Sequence, residues 1–210
     1  RYVLPEGEIS LKNYIEVILE KRKGKAIGIE FGGPGVSFFN GFTPGFLKRS
    51  IGVTLVDHRG KAEKLLDYVR KSAHKVLEAD IFDNDTYKSL KSKLNGEKVD
   101  LIMERMAKGL DLVPIEPYTI SKILKIWYEL LREEGVMFVQ VPVAFNNILT
   151  IWVDKIKKEY NSVIEIKFEI GRSDNGLPCS SFHLRKLPGA PRELPLLDPR
   201  TAKRAFISKF

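Results

Sequence analysis

The stretch Lys25-Ala-Ile-Gly-Ile-Glu-Phe-Gly-Gly-Pro-Gly35 decides how this chain is read. Ala26 to Phe31 reads as a short buried strand that carries an acid, Glu30, near its end. Gly32, Gly33 and Gly35 then supply a turn able to take positive φ and to let a ligand approach the backbone. A strand feeding such a turn is where open α/β sheets bind nucleotides. The dinucleotide fingerprint G-x-G-x-x-G/A fits poorly: counted from Gly33 and Gly35, its third position falls on Phe38, whose ring would obstruct close helix–strand packing.

The whole chain sets bounds on that reading. Its 210 residues, 43% of them hydrophobic, suit one domain with a sizeable core. Cys179 is the only cysteine, so an intrachain disulfide or a multi-cysteine metal site is excluded, and a reducing, cytoplasmic setting is expected. The three histidines, His58, His74 and His183, have no ligand spacing, and no metal is expected. No apolar run approaches the length of a membrane span and no signal-peptide pattern opens the chain, so no membrane partner is expected. The start at Arg1 rather than Met fits a domain excised from a longer polypeptide.

Outward from the glycine turn, the segments alternate. Upstream, Ser10 caps a helix with Leu11, Tyr14, Ile15, Ile18 and Leu19 at helical spacing, and Gly24 stops it. Downstream, Gly41, Pro44 and Gly45 break the segment into a short or interrupted helix bearing Phe38, Phe39, Phe42 and Phe46. Most of these rings are expected in the core, with one or two lining an acceptor pocket. A second strand over 51–56 ends at Asp57, which lies about as far past the glycines as a ribose-binding acid does in a βαβ unit. An amphipathic helix over 61–73, a third strand over 75–79 ending at Asp80, and a helix capped by the Asp83–Asp85 run and stopped by Asn95-Gly96 follow. The fourth strand covers 99–103 and is followed by Glu104-Arg105-Met106 and a Gly- and Pro-containing connection over 107–118. A helix from Thr119 or Ser121 to Leu131, a strand over 136–141, a helix over 145–160 and two strands, 164–170 and 179–185, complete the pattern. The last two are joined by G-R-S-D-N-G, a hairpin connection that parallel strands could not use.

The arrangement Glu30-x-Gly32-x-x-Gly35, with the cadence Leu131-Arg-Glu-Glu-Gly-Val-Met-Phe-Val-Gln-Val141, resembles the class I S-adenosylmethionine (SAM)-dependent methyltransferases. The resemblance covers residues 10–186 by pattern and one motif. It implies an α/β three-layer sandwich whose seven-stranded, mostly parallel sheet has the order 3-2-1-4-5-7-6, strand seven antiparallel. Residues 1–186 would form this domain and 187–210 a basic, proline-containing tail. It also implies SAM as cofactor and S-adenosylhomocysteine (SAH) as product. Glu30 and the Gly32, Gly33 and Gly35 backbone would hold the methionine part, Asp57 the ribose, Asp80 the adenine amino group, and Ile81 the ring. Glu104 and His58 are the strand-end candidates for a general base, if one is used. Two alternatives stay open: a non-catalytic SAM-binding or scaffold module, and an NAD-dependent oxidoreductase.

The fourth strand lacks the N/D-P-P-Y/F motif that relatives acting on exocyclic base amines carry at this point; Glu104-Arg105-Met106 stands there instead. Of the formal charge of +8, a net +5 lies in residues 185–210, where seven Lys/Arg face Glu193 and Asp198; +3 remains for the rest. A small-molecule or protein acceptor is therefore expected, with nucleic acid contacts reserved for Arg200, Lys203, Arg204 and Lys209 of the tail; the oligomeric state is left open. Pro178-Cys179 lies in the terminal hairpin, away from where a nucleophilic cysteine of this fold would stand, so Cys179 is expected as a small buried hydrophobe. Neither a nucleophile-elbow G-x-S-x-G nor a phosphate-loop G-x-x-x-x-G-K-[ST] occurs.

Overall fold

A computed structural model describes residues 2–4, 7–55, 72–105, 110, 117–172 and 178–197. A short antiparallel pair, β1 (Tyr2–Leu4) and β2 (Gly7–Ile9), precedes the body. Helix α1 (Leu11–Ile18) begins at Ser10, whose hydroxyl accepts from the Asn13 N–H at 3.2 Å, and Gly24 takes φ +72° before the sheet starts. The sheet strands are β3 (Ala26–Phe31), β4 (Leu47–Thr54), β5 (His74–Glu78), β6 (Val99–Arg105), β7 (Leu131–Pro142), β8 (Ile164–Arg172) and β9 (Pro178–Lys186). Between them lie α2 (Val36–Phe39), α3 (Asn84–Leu94), α4 (Pro117–Leu130) and α5 (Asn146–Tyr160).

The sheet order is β5-β4-β3-β6-β7-β9-β8. Numbered along the sheet-forming strands this is 3-2-1-4-5-7-6, and β9 runs antiparallel to both its neighbours while the other pairings are parallel. The order expected from the resemblance is the order found. A reversal of winding follows from it: the chain moves from β3 to β4 and β5 on one side, then returns to lay β6 on the other. The crevice at the C-terminal ends of β3 and β6 is thus the topological switch point, the place where such sheets bind ligands.

Each face of the sheet buries one apolar cluster. On one face Ile27, Ile29, Phe31, Ile51, Val53, Ile102, Met137 and Val139 pack under α3, α4 and α5, with Trp127 and Trp152 fully buried. On the other, Leu101, Met103, Val136 and Phe138 pack under α1 and the phenylalanine segment. Phe38, Phe39, Phe42 and Phe46 are all buried there, with ring centroids 5.2–5.7 Å apart for the Phe38–Phe39, Phe38–Phe42 and Phe42–Phe46 pairs. These four rings are core, as most were expected to be. His183 on β9 stacks on Phe138 at 4.5 Å and meets the edge of Tyr14. At the N-terminal edge Asp100, fully buried, accepts from the Ile27 N–H and the Arg22 Nε, each at 2.8 Å, and lies 3.2 Å from the Arg132 Nε.

Three of the boundary differences from the sequence reading bear on the site and its surroundings. Strand β4 begins at Leu47 rather than 51, because Arg49 is tied to the Lys93 and Leu94 carbonyls and to Glu97, holding this polar start in the sheet. Strand β6 runs on to Arg105, so Glu104 is a sheet residue and not the start of a loop. The helix before β7 ends at Leu130, and the strand starts at Leu131 with a tight turn in which Glu134 takes φ +63°. Beyond β9, residues 187–197 lie along the face of α4 and α5. Leu194 and Leu197 enter the core, Tyr128 donates to the Pro191 carbonyl, and Trp152 Nε1 to that of Pro195. Cys179 is buried, as expected.

Candidate functional site

The C-terminal end of β3 delivers Glu30 and Phe31 to the switch point and then turns on glycines. Gly32 and Gly35 both take positive φ, +78° and +77°, which only glycine adopts without strain. At Gly33 the requirement is space: a Cβ would stand 3.2 Å from Glu30 Oε1, so the carboxylate of the strand folds back onto the turn. Glu30 is 2% exposed.

The turn does not project from the sheet; it lies on it. A Cβ on Gly52 of β4 would come within 2.1 Å of the Pro34 carbonyl carbon and oxygen, and Gly33 forms an isolated bridge with Val53. One strand over, the first residue of β5, His74, places Nε2 2.9 Å from the Pro34 carbonyl oxygen. Its Nδ1 is 2.7 Å from Ser50 Oγ. After the turn, Phe39 of α2 crosses Gly28 so closely that a Cβ there would meet its ring at 2.5 Å. The close approach that a dinucleotide fold obtains from a third glycine in the turn is obtained here from glycines in the strands. The ring that rests on a strand glycine is that of Phe39, while Phe38 is buried in the neighbouring aromatic cluster.

On β6, Glu104 has no exposed surface, and its Oε1 accepts from the Leu110 N–H at 3.2 Å, fixing the inner end of the following connection. In register, Glu104 stands beside Phe31, whereas Glu30 stands beside Met103. Since side chains alternate along a strand, the two carboxylates flank the crevice from opposite faces of the sheet. Beneath Glu104's face, Phe31 stacks on Trp127 at 4.3 Å and 6°. Trp127 Nε1 donates to Tyr87 Oη, which donates in turn to the Ile81 carbonyl at 2.7 Å. Burial pushes the Tyr87 hydroxyl well above the ordinary tyrosine range, so it remains a proton donor.

Of the residues expected at a SAM site, Glu30, Gly32, Gly33, Gly35 and Glu104 converge on the switch point. Asp80 is exposed past the end of β5, and its Oδ1 accepts from the Phe82 N–H at 2.9 Å. Ile81 is 4% exposed and belongs to the cluster of Phe31, Tyr87 and Trp127. Asp57 and His58 lie outside the described residues, as do residues 61–71 of the helix expected over 61–73 and most of the connection expected over 107–118. Sequence reasoning missed Gly28, Ser50, Gly52 and His74. The signal for the glycines was present as two small residues inside otherwise apolar strands; for Ser50 and His74 there was none, because their pairing depends on strand order. Among the described residues no group of His, Cys, Asp and Glu could hold a metal ion, and no helix is long and apolar enough to cross a membrane.

No protein-family model and no curated protein sequence matches the chain. Solved structures do. An rRNA methylase from Streptococcus thermophilus superposes with a TM-score of 0.57 at 12% identity, over 86% of this chain and 99% of that one. The N-methyltransferase NodS from Bradyrhizobium japonicum WM9, in complex with SAH, gives 0.53 at 15% over 83% and 84%. An O-methyltransferase from Bacillus cereus, also with SAH, gives 0.51 at 14% over 87% and 84%. The chain has the class I SAM-dependent methyltransferase fold.

The donor set fits SAM, a ligand with an ammonium and a sulfonium centre. Two buried carboxylates flank the crevice, and a Cβ at Gly33 in the turn beside one of them would crowd Glu30 Oε1 at 3.2 Å.

Proposed function

We propose that the protein is a SAM-dependent methyltransferase, with Glu30 and the Gly32–Gly35 backbone holding the methionine part of the cofactor and Asp57 the ribose hydroxyls. Asp80 and Ile81 would receive the adenine. The observation that carries this reading is the position of the glycine turn: it leaves β3 at the strand-order reversal, with buried Glu30 folded against it. SAM supplies an activated methyl group on a sulfonium, whose leaving group departs readily. The protein's part is then to align the acceptor with that methyl and keep the two together, and such positioning supplies on the order of 7–11 kcal/mol in favourable cases. Where the acceptor carries a proton that must leave, Glu104 and His58 are the candidate bases. Glu104 also accepts from the Leu110 N–H and so holds that one residue beside the end of β6.

We assign the acceptor to small molecules or proteins, because the base-amine motif is absent and the net charge outside residues 185–210 is only +3. The test is a methyl-transfer screen with labelled SAM over small molecules, proteins and RNA. Label in a small-molecule or protein fraction supports the assignment, and label in RNA alone reverses it. An unchanged pH–rate profile in Glu104→Gln and His58→Asn would remove both residues from proton transfer.

A further inference from the structure

We propose that His74 is a positioning residue for the cofactor turn, pinning the Pro34 carbonyl from two strands away and so fixing the backbone presented to SAM. The inference rests on the reading of that turn as the cofactor cradle. Proline has no N–H, so the carbonyl is the one backbone group of Pro34 through which hydrogen bonding can hold it. That carbonyl only accepts, which means the nitrogen 2.9 Å away, His74 Nε2, carries the proton. Nδ1 is then the acceptor for the Ser50 hydroxyl at 2.7 Å, and the imidazole is held in a single tautomer.

Packing closes the clamp on the remaining sides. Ser50 and His74 are register partners on adjacent strands and are 2% and 4% exposed. Two residues past Ser50, Gly52 lets Pro34 rest on the β4 backbone. The Phe39 ring lies 6.0 Å from the imidazole, and a Cβ on Gly35 would stand 3.0 Å from His74 Cε1. The turn therefore has its sheet-side surface set by β4 and its carbonyl direction set by β5. A cofactor bound by backbone groups depends on that direction, because hydrogen bonds weaken steeply with misalignment.

The test uses the full chain, with SAH binding measured by calorimetry for the wild type, His74→Leu, His74→Gln, His74→Asn and Ser50→Ala. Each is studied at a temperature where circular dichroism shows it folded. His74→Leu should weaken SAH about tenfold, the loss expected for one buried hydrogen bond. His74→Gln, whose amide nitrogen reaches the Nε2 position, should restore affinity to within about threefold; His74→Asn, whose amide is too short, should not. Ser50→Ala should fall between them. Wild-type binding with unchanged affinity in His74→Leu overturns the clamp and leaves the cofactor reading standing, whereas no SAH binding by the wild type overturns both. If the leucine variant does not fold, equal affinities for the Gln and Asn variants overturn the clamp. Independently of any variant, ¹⁵N spectra of the wild-type histidines should show His74 with its proton on Nε2, and a proton on Nδ1 alone overturns the proposal.

Discussion

Replacing Gly52 with alanine tests how the cofactor turn is seated. The added Cβ would lie 2.1 Å from the Pro34 carbonyl carbon and oxygen and 2.8 Å from the Gly35 nitrogen, all backbone atoms. Ordinary contact begins at 3.4 Å, so the turn must lift by about 1.3 Å or β4 must bend. Overpacking of this kind costs about 1–3 kcal/mol. A lift of that size also breaks the 2.9 Å His74–Pro34 bond, which adds about 1 kcal/mol. Against this, alanine recovers about 0.5–1 kcal/mol relative to glycine inside a strand. The expected net destabilisation is about 1–3 kcal/mol, together with weakened SAH binding. Gly171→Ala on β8 is the control, since nothing lies within 4 Å of its Cβ position; it should be neutral or stabilising by up to about 1 kcal/mol. Urea unfolding with a check that the m-value is unchanged, followed by SAH titration, gives both numbers. If the two variants unfold at the same midpoint and bind equally, the turn is not seated on β4.

Asp100→Ala should destabilise the protein by about 3–5 kcal/mol in thermal or urea unfolding, because Arg22, Arg132 and the Ile27 N–H lose one shared buried partner. Burial, aided by Lys167 and Arg185, lowers the His183 pKa from 6.5 to about 4, so the unfolded chain binds the extra proton first. That contribution to stability is complete above pH 6.5 and is lost as pH falls toward 4. At about 1.4 kcal/mol per pH unit it amounts to about 3 kcal/mol, visible as a shallower acid slope in His183→Phe than in wild type. For nucleic acid binding, truncation after Leu197 is cleaner than truncation after Lys186, since it spares the buried Leu194 and Leu197. Fluorescence anisotropy with RNA should show weak binding by both the full chain and this truncation; tight, salt-sensitive binding lost on truncation would overturn the acceptor assignment.

The sheet was legible in the sequence because its strands are short apolar runs punctuated by glycine, asparagine and acidic caps. Ser10, Asp83 and Asn95 behave as their side chains dictate. The strand order came from resemblance, since periodicity does not say which strands are neighbours. For the same reason the Ser50–His74–Pro34 link was invisible: it joins residues 24 and 40 positions apart through the order of three strands. Gly28 and Gly52 carry no local mark beyond being small residues within strands, and only the path of the returning chain shows them to be clearances. Glu104 was read as the start of a loop because nothing local distinguishes a buried strand-end acid from an exposed one. The tail was read by its charge, which concealed Leu194 and Leu197; two apolar residues spaced among prolines carry no period.

Calorimetric titration of the wild-type chain with SAH, SAM and NAD(H) tests the central claim most directly. The account predicts one site for SAH and SAM, none for NAD(H), and an Asp57→Ala variant weakened by about 1.5–3 kcal/mol, the loss of a charge-assisted hydrogen bond. Binding of NAD(H) with no response to SAH or SAM would contradict it.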